Sequence, residues 1–244
     1  AGGLFLTAGA DVQKDRIEVD VWAWGRGLES WLVDHVVIEG GPGDPACWQR
    51  LTDLLGKVWQ HASGQHLTIA RFAIDTGFET SAVYGWARQV GFAQVAPVKG
   101  LEGFSRSSPV TGPTYVDATT GGKRLRRGAR LWTVAVSTFK AETYRFLRLA
   151  RPTEEEMADG AAFPPGSVHL PHWVENEWLK QFVAEQLVTV RTKRGWTDEK
   201  WRDLEDQLGA APTDTDPAGQ INRQGQAPQG KRRSDWLGRR GGWF

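Results

Sequence analysis

Two aspartates stand at the ends of apolar runs: Asp11 after residues 4–10 (LFLTAGA), and Asp75 after residues 67–74 (LTIARFAI). Short apolar runs bounded by Gly and polar residues read as buried strands, so each carboxylate falls where a strand leaves a sheet. A buried carboxylate needs hydrogen bonds, a counter-charge or a cation. Taken singly, either aspartate can be satisfied by turn amides. Taken together they are hard oxygen donors, and side by side they could share a cation. Sharing one requires two strands far apart in sequence to be neighbours in space.

The elements that would position these residues follow from periodicity. After the polar connection Gln13-Lys14-Asp15, residues alternate: Ile17, Val19, Val21 and Ala23 on one face, Glu18, Asp20, Trp22 and Trp24 on the other. A period of two is that of a strand with one face on a core. Residues 29–37 (ESWLVDHVV) form a third strand, so the chain opens with an antiparallel meander. Gly40-Gly41-Pro42-Gly43 breaks it. Asp44 then has the type of an N-cap with Pro45 at the first helical position. Trp48, Leu51, Leu54, Leu55, Val58 and Trp59 recur at helical spacing, which predicts a helix to about Ala62. Thr80 is placed to cap a second helix with Val83, Trp86, Ala87 and Val90 on its apolar face, ended by Gly91. Residues 93–98 form a strand that leads into Lys99-Gly100. The order β-β-β-α-β-α-β predicts an α/β fold built on a central mixed sheet flanked by helices.

Residues 101–128 are rich in Gly, Ser, Thr and Pro and carry Lys123, Arg124, Arg126 and Arg127. They read as an exposed loop or β-ribbon. A basic loop beside a carboxylate site suits a phosphate backbone; the same composition also describes a solvated charged loop. Residues 131–136 read as a strand, and Ser137 as the cap of a helix running to about Leu149. His169 lies in a short extended piece, GSVHLP, where a packed or hydrogen-bonded histidine and an accessory site residue are both open. Residues 175–185 read as a helix and 187–192 as a strand. Residues 198–208 read as a helix that sets Asp203 and Asp206 one turn apart. From Pro212 to Gly230 apolar periodicity is lost, as in a flexible linker, and residues 231–244 form a basic tail with interleaved aromatics.

Composition narrows the function classes. Net charge is +1 over 244 residues, so the balance of charge does not itself announce a nucleic-acid binder; a basic groove and an acidic metal site would cancel. The one cysteine, Cys47, excludes an internal disulfide. No CxxC or HExxH spacing occurs, which argues against a cysteine-rich zinc site. There is no long charge-free apolar run for a membrane span, and the first residues lack a signal-peptide pattern. Gly121-Gly122-Lys123-Arg124 lacks the upstream Gly and the Ser/Thr of a P-loop, so no nucleotide site is expected.

Several of these stretches together are similar to a known family. "LTAGADVQKDRIEVDVWAWG…ESWLVD", "FAIDTG", "APVKG", "PGSVHLP" and the Trp-rich basic end resemble, in order, the nuclease half of the lambda-type terminase large subunit of tailed bacteriophages. The resemblance covers most of residues 4–195 and implies an RNase H-like nuclease without the packaging ATPase half; with the change of composition after Ala211, the nuclease domain is expected over residues 1–211. It implies cutting of concatemeric double-stranded DNA with two Mg²⁺ or Mn²⁺ ions, with Asp11 and Asp75 as the matching metal ligands. Lys99 falls on the family's "PvKG" element and is expected to face DNA phosphate. Gln13 and Arg16 match the first motif. The implied partners are DNA, a small terminase subunit and, through the tail, the portal or procapsid. The implied location is the host cytoplasm.

One departure stands out. The family's third acidic element, approximately Asn-Glu-Ala-Leu-Asp-Cys, has no match between "RTKRG" and "WTDEKWRDLEDQLG". The third carboxylate is therefore unassigned, with Asp203 or Asp206 as stand-ins. A non-catalytic DNA- or portal-docking module, and another RNase H-like nuclease such as a resolvase, remain open as alternatives.

Overall fold

The opening meander forms as the alternation predicts. β1 (Phe5–Val12) pairs antiparallel with β2 (Arg16–Trp24), and β2 with β3 (Ser30–Glu39). Ile17, Val19 and Val21 are completely buried, while Glu18 and Asp20 lie on the other, half-buried face. Gly40 and Gly41 fold back onto the β1–β2 turn, where the Gly40 amide donates to the Asp15 carbonyl at 2.9 Å. A side chain at Gly41 would overlap the Lys14 carbonyl, so the turn needs glycine there.

This computed structural model describes residues 2–120, 122–191 and 197–204. The expected linker 212–230 and tail 231–244 lie outside the described residues. By contacts the described residues divide into two units, 2–175 and 176–204.

In the first unit, α1 (Pro45–Leu55) begins as expected, with the Asp44 carboxylate accepting from the Ala46 amide at 2.9 Å. It stops at Leu55, not near Ala62. Gly56 is a poor helix former, and Trp59 leaves for a small hairpin, β4 (Trp59–Gln60) with β5 (His66–Leu67), where its indole donates to Asp34 at 3.1 Å. β6 (Ile69–Asp75) then enters the main sheet. α2 (Thr80–Val90) follows, but Thr80 is its first residue and not its cap. The cap position is Glu79, in the left-handed region at φ 45°, and the Thr80 hydroxyl donates back to the Thr76 carbonyl at 2.7 Å.

β7 (Val95–Leu101) runs parallel to β6. β8 (Val110–Thr120) and β9 (Lys123–Ala135) form an antiparallel ribbon, the second of the two forms open to residues 101–128. α3 (Val136–Leu147) starts without a side-chain cap; Ser137 lies inside it, its hydroxyl accepting from the Gly103 amide at 2.9 Å. α4 (Glu154–Ala158) is closed by a Thr153–Glu156 capping box, and β10 (Val168–His169) adds to β3.

The strand order is β10-β3-β2-β1-β6-β7-β9-β8. Among the central strands β3, β2, β1, β6 and β7, only β2 runs against the others. The mixed sheet with flanking helices is consistent with an RNase H-like fold. One core unites the sheet with α1 and α2: Val19, Phe72, Ile74, Leu51, Val83 and Ala87 are all completely buried in it. Each large apolar side chain so buried contributes about 1.5–3 kcal/mol. Both helices thus cover one face of the sheet, and the Trp86 indole on α2 donates to the Thr52 hydroxyl on α1 at 2.9 Å.

The second unit holds α5 (Asn176–Phe182) and a hairpin of β11 (Glu185–Arg191) with β12 (Thr197–Asp203). The expected helix from 198 is corrected over 198–203, which is strand. Pairing with β11 satisfies its backbone and sets Trp201 opposite Leu187, a cross-strand contact that outweighs local helix preference.

Candidate functional site

Asp11 and Asp75 are neighbours. β1 and β6 lie side by side in parallel, in a register that ends with Ala10 opposite Ile74, so the next position on each strand is an aspartate. Ala10 and Ile74 are buried in the core. By alternation both carboxylates leave on the opposite face, from backbones about 5 Å apart.

Burial pushes Asp11 from 3.8 up to about 6. The Gln13 amide, donating to Asp11 Oδ2 at 3.1 Å, works against that rise, while the charges of Asp75 and Glu18 add to it. Arg16 lowers it slightly. Asp75 is also raised by burial and held back by the backbone amides of Gly77, at 2.9 Å to Oδ2, and Thr76. The turn after Asp75 is pinned, since buried Thr76 donates both its amide and its hydroxyl to the Val98 carbonyl, at 3.0 and 2.9 Å.

The remaining candidates are distributed unevenly. Gln13 and Arg16 stand with Asp11. Arg16 binds Glu18 at 2.6 Å and Asp15 at 3.1 Å. Lys99 is exposed one position beyond Val98, the ladder partner of Asp75. It therefore shares the sheet edge with Asp75 but leaves on the other face.

The ribbon residues Lys123, Arg124, Arg126 and Arg127 precede Trp132, the partner of Val98, on a strand parallel to β7. They lie about 20–30 Å from Asp75, toward the opposite ends of the parallel strands. Arg88, near the end of α2, reaches the Gly128 carbonyl there at 3.1 Å, which fixes the same direction. Asp117 grips this ribbon tip: it accepts from the Arg124 guanidinium at 2.7 and 2.9 Å and from the Arg127 amide at 3.0 Å. The Arg127 amide and then the Arg124 side chain hold the Asp117 carboxyl below its usual range.

His169 is remote from the aspartates. Three strands and five ladder positions separate it from Asp11, about 20 Å. Its Nε2 meets Glu29 at 2.7 Å, and its ring stacks on Trp31 at 5.0 Å with the Phe163 edge at 4.6 Å. Asp203 ends β12 in the second unit, opposite Glu185; Asp206 lies outside the described residues.

The model of the terminase large subunit gpA endonuclease domain family matches residues 1–209. The chain belongs to this family. It is 30% identical over 203 residues to the terminase large subunit of Escherichia phage lambda, and 31% identical over 205 residues to that of Enterobacteria phage P21. Each match takes in 83% of this chain but 29% of the relative, so the chain spans under a third of those proteins. No solved structure matches it.

For a chain of this endonuclease-domain family, two features of the aspartate face went unread in the sequence. Glu18 is the direct cross-strand partner of Asp11, so Glu18, Asp11 and Asp75 form one row across three strands. Beside that row, Asp20 on β2 bonds His35 on β3 at 2.7 Å. The alternation of β2 had marked Glu18 and Asp20 only as its polar face; the hairpin register was the signal that would have placed them. Asp11 and Asp75 are a donor set suited to a hard cation that keeps waters and takes phosphate oxygens as further ligands. Among the described residues, no group of three or more His, Cys, Asp or Glu is arranged to hold a metal ion.

Proposed function

We propose that this domain is a metal-dependent endonuclease for double-stranded DNA, cutting concatemeric viral DNA during genome packaging. The observation that carries the reading is the pair of half-buried carboxylates at adjacent ladder positions, whose mutual repulsion and burial disfavour full ionisation without a cation. Asp11 and Asp75 would hold Mg²⁺ or Mn²⁺. When bound, such ions supply a hydroxide nucleophile at neutral pH and neutralise charge on the leaving oxygen.

The chain's own groups orient the site. The Gln13 amide fixes one oxygen of Asp11, and the Gly77 amide one oxygen of Asp75, so both carboxylates are set before substrate arrives. Arg16 keeps Glu18 engaged and tempers the negative charge beside Asp11. Lys123, Arg124, Arg126 and Arg127 at the ribbon tip would contact phosphates some base pairs away from the cut, and Lys99, at the strand end beside Asp75 but on the other face, would reach the backbone only around the end of the sheet. The small terminase subunit and the portal or procapsid are the proposed partners, and the host cytoplasm the proposed location.

The lack of a three-carboxylate group among the described residues favours a second reading, a DNA- or portal-docking module without activity. Nicking of supercoiled plasmid in Mn²⁺ separates the two. Cutting by the wild type that is lost in Asp11→Asn supports the nuclease. Binding without cutting in both supports the module.

A further inference from the structure

We propose that His35, held by Asp20, is a phosphate-binding subsite that positions the DNA backbone across the sheet face carrying Asp11 and Asp75. This rests on the nuclease reading above and adds a contact residue to it. On that face Gly9, Asp20 and His35 are directly opposite one another on β1, β2 and β3. Their row is two residues from the row of Glu18, Asp11 and Asp75, so the two rows share a face.

The other arm of the row continues through Ala73 and Ala96 on β6 and β7. Gly9, Ala73 and Ala96 are all half-buried and carry nothing beyond a methyl group. They leave this stretch of the sheet surface beside the aspartates without bulky side chains, in the same row as the His35–Asp20 pair.

The dyad is oriented. His35 Nδ1 meets Asp20 Oδ1 at 2.7 Å, and Nε2 takes no hydrogen-bond partner among the described residues. The ring is 24% exposed, open enough to meet a ligand on this face. With Nδ1–H directed at Asp20, a neutral imidazole offers phosphate only an acceptor at Nε2; the imidazolium offers a charge-assisted donor. The Asp20 hydrogen bond raises the His35 pKa against the opposing effect of burial. The charges of Asp20 and Glu18 on β2 and of Asp34 on its own strand push the same way as that bond.

Distance decides the role. Two strand spacings and two residues along the strand put His35 about 12 Å from Asp11. That is too far for proton transfer at the cleavage site, which needs hydrogen-bond reach. It equals roughly three steps of a duplex at about 3.4 Å each. His35 is therefore a positioning residue for a phosphate a few nucleotides from the cut.

The test is binding of a blunt DNA duplex with Ca²⁺ in place of Mg²⁺ or Mn²⁺, for wild type, His35→Gln and Asp20→Asn, across salt and pH. The expected result is a three- to tenfold weaker affinity for H35Q at low pH and a salt slope smaller by about 0.9, one phosphate contact. Wild-type affinity should fall as pH rises through the raised His35 pKa, that fall should be missing from H35Q, where the titration of Asp11 at about 6 remains, and in D20N the midpoint of the fall should move to lower pH. If H35Q loses its native melting transition, D20N decides alone. An unchanged salt slope and pH profile, with only the melting temperature lowered, overturns the proposal and leaves the pair as a strand-to-strand staple. Failure of the wild type to nick plasmid in Mn²⁺ would count against the nuclease reading alone, because the binding data are taken without cleavage.

Discussion

Replacing Asp11 by Asn tests the paired carboxylates without using activity. The ordinary value of 3.8 applies to the unfolded chain and about 6 to the folded one. A carboxyl raised on folding is bound more tightly to its proton in the native state, so its ionisation destabilises the fold. That cost is absent below pH 3.8, grows between 3.8 and about 6, and is complete above. At about 1.4 kcal/mol per tenfold change in proton affinity it reaches about 3 kcal/mol at neutral pH and is about half that near pH 5. Metal-free Asp11→Asn should therefore be more stable than wild type by up to about 3 kcal/mol near pH 7.5, because an amide oxygen still accepts from Gln13. The difference should shrink by about 1.5 kcal/mol near pH 5. His35, also raised on folding, titrates in both proteins and cancels in the difference. Urea unfolding followed by tryptophan fluorescence, over roughly pH 5 to 8, measures it. Mn²⁺ at a hundredfold excess over its Kd should return about 2.7 kcal/mol to the wild type and nothing to the variant. An Asp11→Asn protein less stable than wild type at pH 7.5, or a difference independent of pH, would refute the reasoning.

Further outcomes follow from the same geometry. A methyl group at Gly77 would stand 2.7 Å from Asp75 Oδ2, so Gly77→Ala should turn that carboxylate and weaken Mn²⁺ binding by calorimetry about tenfold or more, with the fold retained. Arg126→Ala with Arg127→Ala should reduce the salt slope of DNA binding by about 1.8 and leave metal affinity unchanged. His169→Ala removes the stack on Trp31 and the bond to Glu29, and should cost about 2 kcal/mol in urea unfolding without altering plasmid nicking.

Much of this arrangement was legible because it is local. The alternation from Ile17 to Ala23 named the buried face of β2, the Asp44-Pro45 pair marked the start of α1, and Gly91 marked the end of α2. Where the reading failed, a tertiary contact overrode a local preference. Helical spacing carried on through Trp59, but its indole bonds Asp34 across the fold. The run from Asp198 looked helical, yet its backbone pairs with β11. Thr80 and Ser137 had cap chemistry, and their hydroxyls are engaged instead with Thr76 and Gly103.

The same division holds for the site. Local patterning was enough to put two aspartates at the ends of apolar strands, because hydrophobic periodicity and turn residues act over a few neighbouring positions. Long-range strand pairing is what inserts β6 beside β1, puts both carboxylates on the face opposite α1 and α2, and points the basic ribbon tip toward the far end of the sheet. Strand order and register come from burying apolar faces contributed by distant segments, and no local pattern encodes which segments those are.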